Sequence, residues 1–206
     1  GEGQELALGF AVNGLIDDDP ALILRKGGLQ AGQALILTKP IGTGTLFAAH
    51  ARLRAKGRWI DAALESMVQS NQLGAHILRS HGASACTDLT GFGLLGHLVE
   101  MADGSGLTAV IDTAAVPSLP GVAHYLEQGC VPGGTLRNFD SYGARLAQLS
   151  DAHKHLLCDP QTSGGLLVAV SPQGEDEFLA VARELGLQLH SIGELVAQRP
   201  LAVEFC

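Results

Sequence analysis

The stretch TDLTGFGLLGH, residues 87–97, places an acidic residue, Asp88, on a glycine-bracketed turn directly before an apolar helix. A carboxylate in that position can hold a metal ion while the backbone N–H groups of the turn face phosphate oxygens. An Asp before a helix is about as often an N-cap, whose side chain accepts hydrogen bonds from the first helical amides. The pattern alone therefore leaves two roles open for Asp88, a metal ligand and a helix cap.

Other residues of this stretch add polar contacts around Asp88. The hydroxyls of Thr87 and Thr90 and the N–H of Gly91 can each contact phosphate or cap the helix, and for Thr90 we expect the cap. His97 follows Asp88 by nine residues, which is more than about 10 Å along a single helix. We therefore expect His97 to be a packed or capping residue rather than a metal ligand.

A second stretch, DPQTSGG at residues 159–165, has a similar character and precedes the apolar run LLVAV. Its residues Gln161, Thr162 and Ser163 are uncharged donors beside paired glycines, suited to orienting an anion or a neighbouring loop without adding charge. A serine hydrolase is the competing interpretation of Ser163. It is disfavoured because the sequence lacks the G-x-S-x-G turn and places no His to activate the hydroxyl.

Composition excludes several classes of partner. The chain has 206 residues, of which 46% are apolar, enough to bury one large domain core. Its net charge of −8, its scattered Lys and Arg and its 4% aromatic content argue against a nucleic-acid partner. The sequence shows no transmembrane span, so no membrane partner is expected.

The cysteines indicate a reducing compartment. Cys86, Cys130, Cys158 and Cys206 are far apart and form no C-x-x-C pair, which disfavours a zinc site built from local ligands. No apolar signal segment opens the chain, although a truncated start would hide one. We therefore predict reduced thiols and a cytoplasmic location.

Hydrophobic spacing predicts an α+β fold in which a mixed sheet is layered with helices. Strands are predicted over residues 6–16, 34–39, 107–112, 166–170, 188–197 and 201–205. Helices are predicted after residues 42–44, over residues 60–68, behind Asp88 as far as Gly104 and Gly106, and over residues 122–128, 151–157 and 174–185. Residues 117–134 otherwise read as an ordered loop over the site.

Five blocks together resemble selenophosphate synthetase (selenide, water dikinase), a member of the superfamily that includes aminoimidazole ribonucleotide synthetase. The blocks are LILTKPIGTG (35–44), the Asp88 turn, LPGV (119–122), GGT with RNF (133–135 and 137–139), and LCDPQTSGG (157–165). They lie within residues 7–196, so the resemblance covers nearly the whole chain.

The resemblance implies a division of the chain. Residues 43–206 would form a domain like the carboxy-terminal domain of aminoimidazole ribonucleotide synthetase, and residues 1–42 would end a truncated amino-terminal ATP-binding domain whose sheet the strands at 6–16 and 34–39 complete. The chain enters its first predicted strand without an initiating Met, which favours truncation. The family's nucleophilic Cys or selenocysteine and its neighbouring Lys lie in that amino-terminal domain, so no catalytic residue is expected here.

The resemblance also implies a reaction. The family converts ATP, selenide and water to selenophosphate, phosphate and AMP with Mg²⁺, for selenocysteine and selenouridine synthesis. Asp88 would be a metal ligand that acts with acids of the amino-terminal domain, and the nucleotide-binding positions would be Thr87, Thr90, Gly91, Asn138, Gln161, Thr162 and Ser163. Arg137 and Asn138 would lie in a loop facing the active cleft, where Arg137 holds a phosphate or forms a surface salt bridge. The intact enzyme is expected to be a homodimer, and the fragment alone to be inactive.

Two alternatives remain open at this point. One is another ATP-dependent enzyme of the same superfamily, acting on a ribonucleotide or on thiamine phosphate. The other is a noncatalytic folding or interaction module.

Overall fold

Two short apolar runs, ALIL and LLVAV, form adjacent antiparallel strands in the middle of a mixed sheet. The computed structural model describes residues 9, 11–15, 23–80 and 83–206, the side chains of residues 79 and 80 excepted. Within these residues the sheet contains β1 (Ala34–Leu37), β2 (Ala83–Asp88), β3 (Leu107–Ile111), β4 (Leu166–Val170), β5 (Ser191–Ala197) and β6 (Val203–Phe205). The strand order is β2-β4-β1-β5-β3-β6, antiparallel throughout except between β3 and β6.

The helices surround this sheet. They are α1 (Thr43–Ala51), α2 (Gly57–Val68), α3 (Gln72–Ser80), α4 (Gly93–Ser105), α5 (Val122–Glu127), α6 (Gly133–Tyr142), α7 (Asp151–Leu157) and α8 (Glu175–Glu184), with a 3₁₀ turn at Gly143–Arg145. No helix in the described part of the chain is long and apolar enough to span a membrane.

Alternation along β1 divides the core between the two faces of the sheet. Leu35 and Leu37 pack into the larger cluster, which also contains Leu94 and Leu98 of α4, whereas Ile36 faces the opposite side. On that opposite side, α3 and α8 contribute buried residues such as Phe178. Central strands covered on both faces are buried throughout, which explains why β1 and β4 are apolar at nearly every position.

A third cluster joins α1, α2 and α5 beside the sheet. It is built from Leu46 and Ala49 of α1, Ile60 of α2, and Val122 and Tyr125 of α5. The cluster fixes the position of α1, whose first residues contact the stretch 159–165.

The predicted α+β fold with a mixed sheet is confirmed, and most predicted elements lie within a few residues of their expected bounds. The predicted stop of α4 is also found, with Gly106 as a left-handed C-cap at φ 65°. Of the strand predicted over residues 6–16, the described residues 9 and 11–15 have no regular secondary structure, and the others lie outside the described residues.

The prediction that the 34–39 strand completes another domain's sheet is wrong. The strand β1 pairs with β4 on one side and with β5 on the other, so it lies inside the same sheet as the later strands. Its wholly buried pattern is typical of a central strand. The assignment of residues before β1 to the end of another domain stays a prediction.

Candidate active site

The two glycine-containing stretches singled out in the sequence meet at one edge of the sheet. Asp88 ends β2 opposite Leu166 of β4. Beyond this pair, the Leu89 N–H donates to the Gly165 carbonyl at 2.9 Å, and the Gln161 N–H donates to the Thr90 carbonyl at 3.0 Å. We call residues 88–92 the acidic turn and residues 159–165 the amide turn. Each turn fixes the backbone of the other.

Asp88 is exposed at the start of the acidic turn and lines an open cavity of about 460 Å³. The same cavity contains the side chains of Lys26 and Glu100, which form an ion pair with 2.9 Å between Nζ and Oε2. Within the part of the chain that the structure describes, no hydrogen-bond donor reaches the Asp88 carboxylate. Among the described residues, the Asp88 carboxylate therefore lines this cavity without a hydrogen-bond donor.

Asp88 is not the cap of the following helix. The N-cap position of α4 is Phe92, and no side chain caps it. The capping role expected for Thr90 is also wrong, because its hydroxyl lies 3.1 Å from His97 Nε2 instead of bonding to a helical amide. Of the two roles left open for Asp88, the capping role is therefore wrong, and the ligand role stays a prediction.

Three side chains hold successive residues of the acidic turn. His97 Nε2 accepts from the Thr90 N–H at 3.1 Å, Asn138 Nδ2 donates to the Gly91 carbonyl at 2.7 Å, and the Tyr142 hydroxyl donates to the Phe92 carbonyl at 2.7 Å. Burial raises the pKa of Tyr142, which keeps its hydroxyl protonated as a donor. The turn that presents Asp88 is thus fixed at three consecutive positions.

Gly91 and Thr87 differ in accessibility. Gly91 is exposed, and a Cβ placed on it would meet no atom within 4 Å. Thr87 is buried, and its hydroxyl donates to the Asp88 carbonyl at 3.4 Å. An anion approaching the turn would therefore meet Gly91 and Thr90 before Thr87.

The expectation that Arg137 and Asn138 lie in a loop is wrong, because both are on α6. Arg137 is exposed, whereas Asn138 is 8% exposed. A second contact from Asn138 Nδ2 reaches the Cys158 carbonyl at 3.0 Å. An amide nitrogen has two hydrogens to donate, and both are used to connect the acidic turn to the residue before the amide turn.

The amide turn is directed mainly toward α1. Gln161 is buried, and its Oε1 accepts from the N–H groups of Gly42 (3.0 Å) and Thr43 (3.3 Å). Thr162 is exposed and its N–H donates to Thr43 Oγ1 at 3.0 Å. Ser163 is exposed with a left-handed φ of 48°. The exposed Thr162 and Ser163 are available to a ligand, whereas Gln161 serves the start of α1.

Asp159 was not recognised as a site residue from the sequence. It is fully buried, and its carboxylate accepts from the Gly44 N–H (3.0 Å), the Thr45 hydroxyl (2.8 Å) and Gln161 Nε2 (2.9 Å). Burial raises the pKa of Asp159 to about 7, and these donors oppose the rise. Asp159 and Gln161 together satisfy the first amides of α1, so that helix terminus is not an anion site.

Lys39 was also missed. It is 5% exposed, and its Nζ donates to the Gln69 carbonyl at 2.6 Å and to the Ser163 carbonyl at 3.1 Å. Desolvation lowers the pKa of Lys39. Through the second of these bonds, Lys39 supports Ser163, the residue of the amide turn with the left-handed φ. The sequence signal was its position two residues after the buried strand β1.

Close packing between the two turns predicts a difference between their glycines. Gly164→Ala should lower the free energy of unfolding by about 1–3 kcal/mol, because the new Cβ would stand 2.6 Å from the Leu89 carbonyl oxygen. Gly91→Ala is the matched control, since its Cβ would enter open space. Urea unfolding of both variants measures the difference, and wild-type stability of Gly164→Ala would contradict the close approach.

Comparison with known proteins assigns the chain to a family. A family model described as AIR synthase related protein, C-terminal domain, matches residues 30–205. The chain belongs to this family. The AIR synthase related match begins before β1, in agreement with the central position of that strand in the sheet.

Relatives with the name selenide, water dikinase match almost the entire chain. The protein from Bordetella bronchiseptica is 57% identical over 203 residues, and that from Pseudomonas aeruginosa is 56% identical over the same length. In both cases the match covers 98% of this chain and 58% of the relative. The chain thus spans under two thirds of the length of these proteins.

Solved structures show the same fold at low identity. The hydrogenase maturation protein HypE from E. coli aligns with a TM-score of 0.61 and 20% identity, covering 88% of this chain and 48% of that chain. Thiamine-monophosphate kinase from Stenotrophomonas maltophilia aligns with a TM-score of 0.56 and 16% identity, covering 88% and 52%. A HypE structure in complex with ATP aligns with a TM-score of 0.53 and 16% identity, covering 89% and 50%.

Proposed function

We propose that this chain is part of a selenide, water dikinase, a phosphotransferase that makes selenophosphate, AMP and phosphate from ATP, selenide and water. Identity of 57% to a relative of that name, over 98% of the chain, supports the assignment. Selenide as substrate, the supply of selenocysteine and selenouridine synthesis, and a homodimeric intact enzyme belong to the same proposal and rest on the resemblance. Residues before β1 would end the amino-terminal ATP-binding domain.

The exposed carboxylate of Asp88 on its fixed turn is the observation that carries the proposal. Mg²⁺ binds one or two protein carboxylates and completes its shell with waters and substrate phosphates. An exposed carboxylate without a hydrogen-bond donor in the described residues fits that requirement. Bound there, Mg²⁺ would neutralise charge on the ATP phosphates.

Other residues of the chain would bind or orient the nucleotide. Thr90, Gly91, Thr162 and Ser163 are exposed on the two turns and are proposed to contact phosphate oxygens. The buried residues Thr87, Asn138 and Gln161 are proposed to hold the turns in position for that contact.

The isolated chain is proposed to bind ATP weakly and to be inactive. In the described residues no group of three or more His, Cys, Asp or Glu side chains could hold a metal ion. Asp88 therefore needs further ligands from phosphate or from another part of the protein. All four cysteines are free, which supports a cytoplasmic location for the enzyme.

The test is to incubate the full-length protein anaerobically with Mg²⁺, ATP and selenide and to follow the products by phosphorus NMR. We expect selenophosphate to appear together with AMP and orthophosphate. A folded protein that leaves ATP intact, or that forms ADP only with another acceptor, would overturn the substrate assignment.

A further inference from the structure

His97 has a contact that the proposed reaction does not yet use. The ring is 4% exposed, and its Nε2 lies 3.1 Å from the backbone nitrogen of Thr90, seven residues earlier in the chain. Side chains on a helix lean toward its N-terminus. His97 therefore reaches from the first turns of α4 back over the acidic turn.

The contact fixes the tautomer of the ring. A backbone N–H can only donate, so Nε2 must be the unprotonated acceptor and Nδ1 must carry the hydrogen of the neutral ring. Among the described residues Nδ1 has no hydrogen-bond partner, and Glu100 Oε2 lies 3.8 Å from it. Burial lowers the pKa of His97, in agreement with a neutral acceptor.

The position of this contact matters for Asp88. Thr90 is two residues after Asp88, and His97 pairs its N–H, whereas Asn138 and Tyr142 hold the carbonyls of the next two residues. Phe92, at the end of the turn, also lies against the His97 ring, with ring centroids 6.1 Å apart in an edge contact. One imidazole therefore restrains both the middle and the end of the acidic turn.

We propose that His97 is a positioning residue, which holds the acidic turn in the conformation that presents Asp88 to a magnesium–nucleotide complex. The inference rests on the proposed function for its ligand, but the restraint itself concerns only this chain's residues. Groups that orient a metal ligand typically affect metal affinity by about 10- to 100-fold when replaced.

Three variants of the full-length protein distinguish the hydrogen bond from His97 to Thr90 from the packing of the His97 ring. His97→Phe keeps a ring but removes the acceptor, and His97→Gln supplies an amide oxygen near the position of Nε2. His153→Phe is the control, since it makes the same substitution at an exposed histidine of α7, outside both turns.

Manganese binding, followed by electron paramagnetic resonance in the presence of a nonhydrolysable ATP analogue, is the primary measurement. We expect His97→Phe to weaken Mn²⁺ binding by about 10-fold, and His97→Gln and His153→Phe to stay within about 3-fold of wild type. Equal binding by His97→Phe and wild type would overturn the proposal. So would a loss in His97→Gln as large as that in His97→Phe.

A second measurement tests the contact between His97 and Thr90 independently of selenophosphate formation. In ¹⁵N spectra of the histidine-labelled full-length protein, the His97 ring should show a protonated Nδ1 and an unprotonated Nε2, and the reverse tautomer would overturn the contact. If wild type bound Mn²⁺ with the nucleotide but made no selenophosphate, the proposed reaction would fall while these two measurements still decided the role of His97.

Discussion

Replacing Asp88 with Ala in the full-length protein is expected to abolish turnover while leaving the fold intact. Removing a group that stabilises transition-state charge typically lowers kcat by about 100- to 1,000-fold, and the Asp88 carboxylate lines the cavity of the candidate site. The side chain is exposed and accepts no hydrogen bond from the described residues, so the free energy of unfolding should change by no more than about 0.5 kcal/mol. Selenophosphate formation and thermal unfolding measure the two effects.

Two further variants make that result specific. Asp88→Asn keeps the shape and removes the charge, and it should lose nearly as much activity as Asp88→Ala. Asp140→Asn removes one exposed negative charge from α6 and should retain wild-type turnover. Near wild-type turnover by Asp88→Ala would exclude a metal-binding role for this residue.

Both turns were singled out in the sequence because each combines polar side chains with glycines beside an apolar run, and the structure brings them together at one edge of the sheet. Their close approach needs those glycines. At Gly165, a Cβ would stand 2.5 Å from the Lys39 backbone nitrogen. Glycine was informative here because it marks positions where another segment comes too close for a Cβ.

The helix α6 shows where local pattern was insufficient. Its buried residues are Thr135, Asn138 and Tyr142, whereas Leu136 is 50% exposed. These residues are three and four positions apart, as on one face of a helix. Two of the three, Thr135 and Asn138, are polar, so apolar residues do not mark the buried face. A search for apolar periodicity therefore finds no helix there, and the loop expected for Arg137 and Asn138 rested on the resemblance alone.

The strand β1 and the carboxylate Asp159 show a second limit, which is sequence distance. The partner of β1 in β4 follows it by more than 120 residues, and nothing in ALIL itself selects that partner. Likewise, α1 begins after Gly42, which has no side chain to cap the helix, and the cap comes from residues 159 and 161. Such partners are set by the tertiary fold.

The buried cap of α1 gives the second large expected effect. Asp159→Ala would leave the Gly44 N–H, the Thr45 hydroxyl and one Gln161 amide hydrogen without their acceptor. Each buried donor left unpaired costs about 1–3 kcal/mol, so a loss of roughly 3–5 kcal/mol in the free energy of unfolding is expected after partial relaxation. Asp159→Asn keeps one carbonyl oxygen for Gly44 and Gln161, while the Thr45 hydroxyl can rotate to accept. This variant should lose much less, and urea unfolding of the chain compares the two.

The same residue predicts a pH dependence. With its native pKa raised to about 7 and an unfolded value near 4, Asp159 holds a proton in the folded chain that the unfolded chain has released. Between about pH 4 and pH 7 the folded state therefore binds more protons, and the free energy of unfolding should fall as the pH rises, by about 1.4 kcal/mol per pH unit at most. Asp159→Asn cannot titrate. Across the same pH interval, the free energy of unfolding of wild type should therefore fall relative to that of this variant. A pH-independent difference would mean that the donors from α1 and Gln161 keep Asp159 ionised throughout, because they stabilise the carboxylate more than burial penalises it.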